Sequence, residues 1–363
     1  MNAMRRCGRT ALLAGTVLAL VATPTVAQAK PSAAIACGAV LTSSIVLTRD
    51  LTNCPGDGLV VGADGITVDL GGHAVSGDGA QGTSSIDAGV RVTGRHGVTV
   101  RNGKVSAFDR GVAVTDSDHV RVERITGSGM PRSGILLVNS TYSVITGNSL
   151  SGNDGGVYLW TDSSHNLVTG NHAWGNEQGI TVDGARDNTV AANLVERNAG
   201  NIILIGDRNL ITGNAVKNAV GCGDECGYGI SLESGSGNRI VSNLVSGNLL
   251  DGIRISNFFP DAAADGNLVR GNLVTGSTRD GIAEGTEGER ATTGTVILDN
   301  LVYANAGTGI HVRGLGAQIS ADTAVGNGGH GIDAVDGTLD GGHNRAAGNR
   351  TSPQCVGVLC TRP

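Results

Sequence analysis

A glycine, an apolar residue, any residue and then a second apolar residue recur along this chain at a nearly fixed interval. The segments are GVRV at Gly89, GVAV at Gly111, GILL at Gly134, GVYL at Gly156 and GITV at Gly179, spaced by 22, 23, 22 and 23 residues. NIIL at Asn201 follows 22 further on, and GISL at Gly229, GIRI at Gly252 and GIHV at Gly309 continue the series. Steps of 28 or 29 fall only where loops are inserted, such as VGCGDECG and NFFPDAAAD. A length of 363 residues would alone suggest two or three domains. The short period instead signals one stack of similar small units.

Within each unit, short pieces alternate apolar and polar residues between polar turns. Period-two alternation means strands with one side inward. No unit contains a helical pattern long enough to cover a sheet. A 22-residue unit of three short strands is one coil of a parallel β-helix. The fold class is therefore all-β, a single-stranded parallel β-helix of about twelve coils, roughly 55 Å long at the strand spacing of ~4.8 Å. Asn148, Asn171, Asn193, Asn214, Asn243, Asn272 and Asn300 hold one place in seven successive units. Stacked amides can form a hydrogen-bonded ladder, so these asparagines are structural. Glycine is abundant, 59 residues, but no strict triplet is present, which excludes collagen.

The pattern resembles the right-handed parallel β-helix repeat family, the pectate-lyase-like superfamily that also includes NosD-type periplasmic proteins. The resemblance covers roughly Gly58 to Asn349, and DGITVDLGGHAVSG at Asp64 to Gly77 looks like a first coil of secreted members. It implies a right-handed coil but fixes no catalytic set. The calcium-binding aspartate cluster of pectate lyases, the paired aspartates of polygalacturonases and the Asp-Pro-His of alginate epimerases are missing. In NosD-type proteins the resemblance points to copper-site maturation.

The first 29 residues read as a secretory signal: Arg5, Arg6 and Arg9, the apolar run ALLAGTVLALVA, then AQA before Lys30. The expected organisation is a signal over 1–29 cleaved after Ala29, a cap segment over 30–57, the β-helix over 58–349 and a tail over 350–363. No other apolar run is long enough to span a membrane. Losing three arginines moves the net charge from −6 to −9, so no nucleic-acid partner is expected. Six of the seven cysteines remain, as Cys37/Cys54, Cys222/Cys226 and Cys355/Cys360. Fifteen pairings are open, and the neighbours are favoured because the three pairs lie far apart. No histidine near Cys222 and Cys226 completes a zinc set.

In the first strand of each unit the second residue after the glycine points out, and so does the fourth. The outer face then carries Tyr158 and Trp160, Thr181 and Asp183, Ser231 and Glu233, Arg254 and Ser256, His311 and Arg313, and Asp333. Trp174 falls in a polar column of a later strand and is expected to be exposed. Exposed indoles stack on the C–H faces of sugars. Asp183, Glu233, Arg254 and His311 are the candidate catalytic residues, with Arg254 free to grip a substrate carboxylate. Tyr158, Trp160, Arg313 and Asp333 are the candidate substrate contacts. His96, His119, Tyr142 and His165 stand one repeat apart, where stacked imidazoles can share a metal. Asp64, Asp187 and Arg208 fall in the same column, so it reads as a polar turn, and neither metal nor cofactor is assigned. The expected protein is an extracellular monomer that binds or processes a polysaccharide as a lyase, epimerase or hydrolase. The rivals are a non-catalytic structural or adhesive rod and a NosD-like metal-linked factor.

Overall fold

A computed structural model describes residues 35–79, 86–222, 226–259, 263–288 and 291–362. The signal segment expected over 1–29 lies outside the described residues. From Ile35 onward the chain forms one unit of parallel strands. The first sheet has fourteen strands, stacked in strict chain order. Each coil returns to this sheet after two further short strands, so the chain winds as a right-handed parallel β-helix. The two other columns of strands join where Thr99–Ser106 and Arg121–Ser128 run unbroken around their corner. Fourteen strands exceed the twelve coils expected because both flanking segments contribute. Ala39–Leu41 pairs with Leu59–Val61, and Cys355 and Val356 pair with Ile332 and Asp333.

The apolar positions of the repeat fill the interior. Val157, Leu159, Ile180, Val182, Ile202 and Leu204 are all essentially inaccessible. The repeated glycine is required because consecutive coils touch there. A Cβ on Gly179 would stand 2.5 Å from the Asn201 carbonyl oxygen and 2.5 Å from a Val195 methyl. The asparagine column is a ladder. The Asn171 N–H and side-chain amide both donate to Asn193 Oδ1, at 2.9 and 3.0 Å, and Asn193 does the same to Asn214. Two more ladders occupy the other corners. One climbs through Asn166, Asn188, Asn209 and Asn238. The other climbs through Asn153, Asn176 and Asn198. Asn201 stands where its neighbours have glycine, and it carries this last ladder across the 218–228 insertion by bridging Asn198 and Asn248.

Disulfides join Cys37 to Cys54, Cys222 to Cys226 and Cys355 to Cys360. The outer two staple the terminal turns of the stack, where strand edges would otherwise be bare.

Candidate functional site

Alternation within the repeat puts the second and fourth residues after the glycine on the outer face of the first sheet. Register confirms the order: Tyr158 lies beside Thr181, Trp160 beside Asp183, Ser231 beside Arg254, and His311 beside Asp333. Consecutive coils are a strand spacing apart, ~4.8 Å. The candidates therefore share one face but spread over eight coils, and they form three separate groups.

The first group is the open one. Trp160 is 43% exposed, and the Tyr158 ring meets its edge with centroids 6.3 Å apart. The Tyr158 hydroxyl donates to Asp183 at 2.8 Å. Burial first, and then this carboxylate, push the phenol's pKa well above its ordinary value. The two rings border a depression of about 190 Å³ that also takes in Arg110, Arg132, Leu136, Asp154 and Gln178. Among the described residues neither arginine has an ion-pair partner within 4.0 Å. Burial and the charges of Arg132 and Arg91 lower the pKa of Arg110. Arg91, by contrast, is held by Asp57 at 2.6 Å. Asp154 sits on the rim with Glu177 on the next coil. Its carboxyl pKa is raised by burial, then by a hydrogen bond shared with Glu177 and by that residue's charge. Sequence reasoning missed Arg110, Arg132, Asp154 and Glu177. They precede the repeated glycine, outside the alternating positions of the strand.

The second group corrects an expectation. Arg254 is on the outer face but only 2% exposed, so it is not available to a substrate. Its guanidinium lies 3.6 Å over the Tyr228 ring and 4.5 Å from that of Phe258. It donates to Ser231 at 2.9 Å and to Glu233 at 3.3 Å. Tyr228 and Phe258, at the edges of the two insertions, place their rings against the guanidinium here. Glu233 is the extra residue of a bulge, since Leu204 pairs with Leu232 but Ile205 with Ser234. Its pKa is raised by burial, which outweighs the opposing pull of Arg254. A cavity of about 220 Å³ separates this group from the first, lined by Tyr158, Thr181, Glu233 and the Cys222–Cys226 bridge among others.

The third group is a closed charge cluster. His311 Nδ1 is 2.7 Å from Asp280, and its enclosed Nε2 is 3.8 Å from Asp333. Arg313 completes the set with a 2.7 Å contact to Asp333. Both His311 nitrogens therefore face carboxylates of the protein, which does not suit a base that must reach a substrate. Asp280 was not anticipated, because it precedes the GIAE segment that departs from the repeat.

Elsewhere, Trp174 is 42% exposed as expected, on a different strand column from Trp160. The ring column is a turn position. His119, Tyr142, His165, Asp187 and Arg208 all have φ near +55°. His96 is one place out of register, since it pairs with Asp118.

The family model described as "Periplasmic copper-binding protein (NosD)" matches residues 71–251, and one described as "Protein of unknown function (DUF1565)" matches residues 188–334. With the sheet order above, they define the fold class: the chain is a right-handed parallel β-helix protein whose coils over residues 71–251 are similar to those of NosD. No curated protein matches the sequence. Among solved structures, the periplasmic alginate epimerase AlgG shares 13% identity over 81% of this chain and 70% of its own, with a TM-score of 0.59. The DFA-IIIase of Arthrobacter chlorophenolicus A6 in complex with GF2 shares 16% over 68% and 66%, at 0.50. The Dettilon tailspike protein shares 14% over 72% of this chain and 59% of its own, at 0.53. At these identities the likeness is one of fold.

Proposed function

We propose that this protein works outside the cytoplasm and binds a polysaccharide along the outer face of the first sheet, over the depression between Trp160 and Arg110. One observation carries the reading: an exposed indole and a half-buried phenol border a hollow that also holds an accessible carboxyl and two arginines with no ion-pair partner among the described residues. A sugar needs an apolar face to stack against, with forked donors and acceptors at its edge for hydroxyls or a carboxylate. A linear face of repeated coils also suits a linear polymer. The three disulfides support an oxidising compartment. The enzymes and tailspike that share the fold make a glycan a natural candidate, without naming it.

The raised pKa of Asp154 favours a second reading, in which the bound glycan is also processed. Asp154 with Glu177 would donate a proton from one rim of the hollow, while the Asp183 carboxylate accepts from the Tyr158 hydroxyl on the next coil. Asp183 therefore keeps a candidate role, whereas Arg254 and His311 act in holding the fold. The test is a screen of the purified chain against acidic and neutral glycans. Retention of a glycan, lost in Trp160→Ala, supports binding. New reducing ends or ultraviolet-absorbing unsaturated ends, lost in Asp154→Asn, support processing.

Among the described residues the methionine is Met130, which is completely buried, so they offer no thioether to the copper of the NosD description. The donor set that fits a divalent ion is imidazole and carboxylate, on the turns.

A further inference from the structure

The turn that follows strand Ala88–Thr93 carries His96, and the turn that follows Arg110–Thr115 on the next coil carries Asp118 and His119. His96 Nδ1 lies 2.7 Å and His119 Nδ1 2.6 Å from the same oxygen of Asp118. One ligand atom from each of the three residues lies within 4.8 Å of the other two. All three side chains reach solvent, at 63%, 40% and 56% exposure for His96, Asp118 and His119.

We propose that His96, Asp118 and His119 form a binding site for one borderline divalent transition ion, zinc(II) or copper(II). Two imidazoles aim at a single carboxylate oxygen, so two N–H hydrogens crowd one acceptor. A cation between the three groups replaces both hydrogens and uses the ring lone pairs instead. Two nitrogens and one oxygen suit zinc(II) or copper(II) and are poor for calcium or magnesium, which take mainly oxygen ligands. Three protein ligands leave a position for water, as in open zinc sites.

The backbone already holds the ligands in place. The Asp118 N–H donates to the Arg95 carbonyl and the Gly97 N–H to the Asp118 carbonyl, each at 3.0 Å. The His96 N–H is fixed by Asp64 Oδ1 at 3.0 Å. His119 stacks on Tyr142, with centroids 5.4 Å apart, which restrains its ring. Loading the site therefore moves protons more than it moves chain. Imidazole binds a metal only when neutral, so uptake weakens on acidification.

The test is titration calorimetry on the untagged, chelator-stripped chain with zinc(II) chloride and copper(II) chloride, and with calcium chloride as control. The expected result is one equivalent of zinc or copper and no calcium. His96→Ala and His119→Ala should each weaken binding by about tenfold or more. His165→Ala, in the same ring stack but outside the triad, should leave it unchanged. Electron paramagnetic resonance of the copper(II) form should show two nitrogen ligands, falling to one in His119→Ala. No binding of either ion would overturn the site, as would binding unchanged in the His96→Ala/His119→Ala double variant or lost equally in His165→Ala. Glycan binding is read separately, so failure here leaves the reading of the Trp160 hollow untouched.

Discussion

Asp322 shows most directly how one residue carries a chemical consequence in this fold. It occupies the next rung of the asparagine ladder after Asn300, accepting that residue's N–H at 2.7 Å and its side-chain amide at 2.9 Å through Oδ1. The matching amide nitrogens of Asn300 and Asn344 donate to backbone carbonyls. Asp322 Oδ2 has no partner among the described residues, and only a protonated carboxyl could donate there. Burial pushes its pKa up to about 7 from the ordinary 3.8. The folded state thus holds this proton more tightly than the unfolded chain. The group favours folding most below pH 3.8, loses that advantage as pH rises to about 7, and adds no further change above it. Asp322→Asn should restore the rung and stabilise the protein at pH 8 by on the order of 2–4 kcal/mol, with little effect at pH 4. Thermal melts at the two pH values check this. The ladder was legible in the sequence as a column of asparagines. The carboxylate in it was not, because a substitution breaks the very pattern that reveals the column.

At the scale of the element, the inserted loops explain what the repeat could not show. Alternation put Arg254 outward correctly, but outward did not mean exposed. Tyr228 and Phe258, at the edges of the two insertions, place their rings against it, and long-range cover of this kind leaves no periodic trace. Arg254→Ala should therefore destabilise the fold rather than act silently. Breaking the pair leaves Glu233 partly buried without its cation. The cost should be roughly 2–3 kcal/mol, below the usual loss for a fully buried pair because the Glu233 side chain keeps 23% exposure. Denaturant unfolding of Arg254→Ala beside wild type measures it, and an unchanged midpoint would mean that the rings and Ser231 do not hold the guanidinium. The ladders belong to this scale too. Asn193→Ala removes the acceptor of two buried Asn171 donors, and about 2–4 kcal/mol should be lost. A single ladder was legible in the sequence, since the other two mix serine, asparagine and interrupted spacing.

At the scale of the whole molecule, the coil architecture was the most legible feature. A fixed period with alternating strands leaves few alternatives, and each coil needs only its neighbours to be built. The site was less so. The residues chosen from one outward column divide into an open hollow, a covered ion pair and a closed charge cluster. The first of these presents Trp160 to solvent beside two arginines that have no ion-pair partner among the described residues. The most direct test is affinity electrophoresis of wild type, Trp160→Ala and Arg110→Ala/Arg132→Ala through gels containing acidic or neutral polysaccharides. The account predicts that at least one glycan retards the wild type. Both variants should then run nearly unretarded while keeping the wild-type circular dichroism spectrum. Retardation that persists in both variants would place the glycan elsewhere on the stack, and a wild type retarded by none of the glycans would contradict the polysaccharide reading itself.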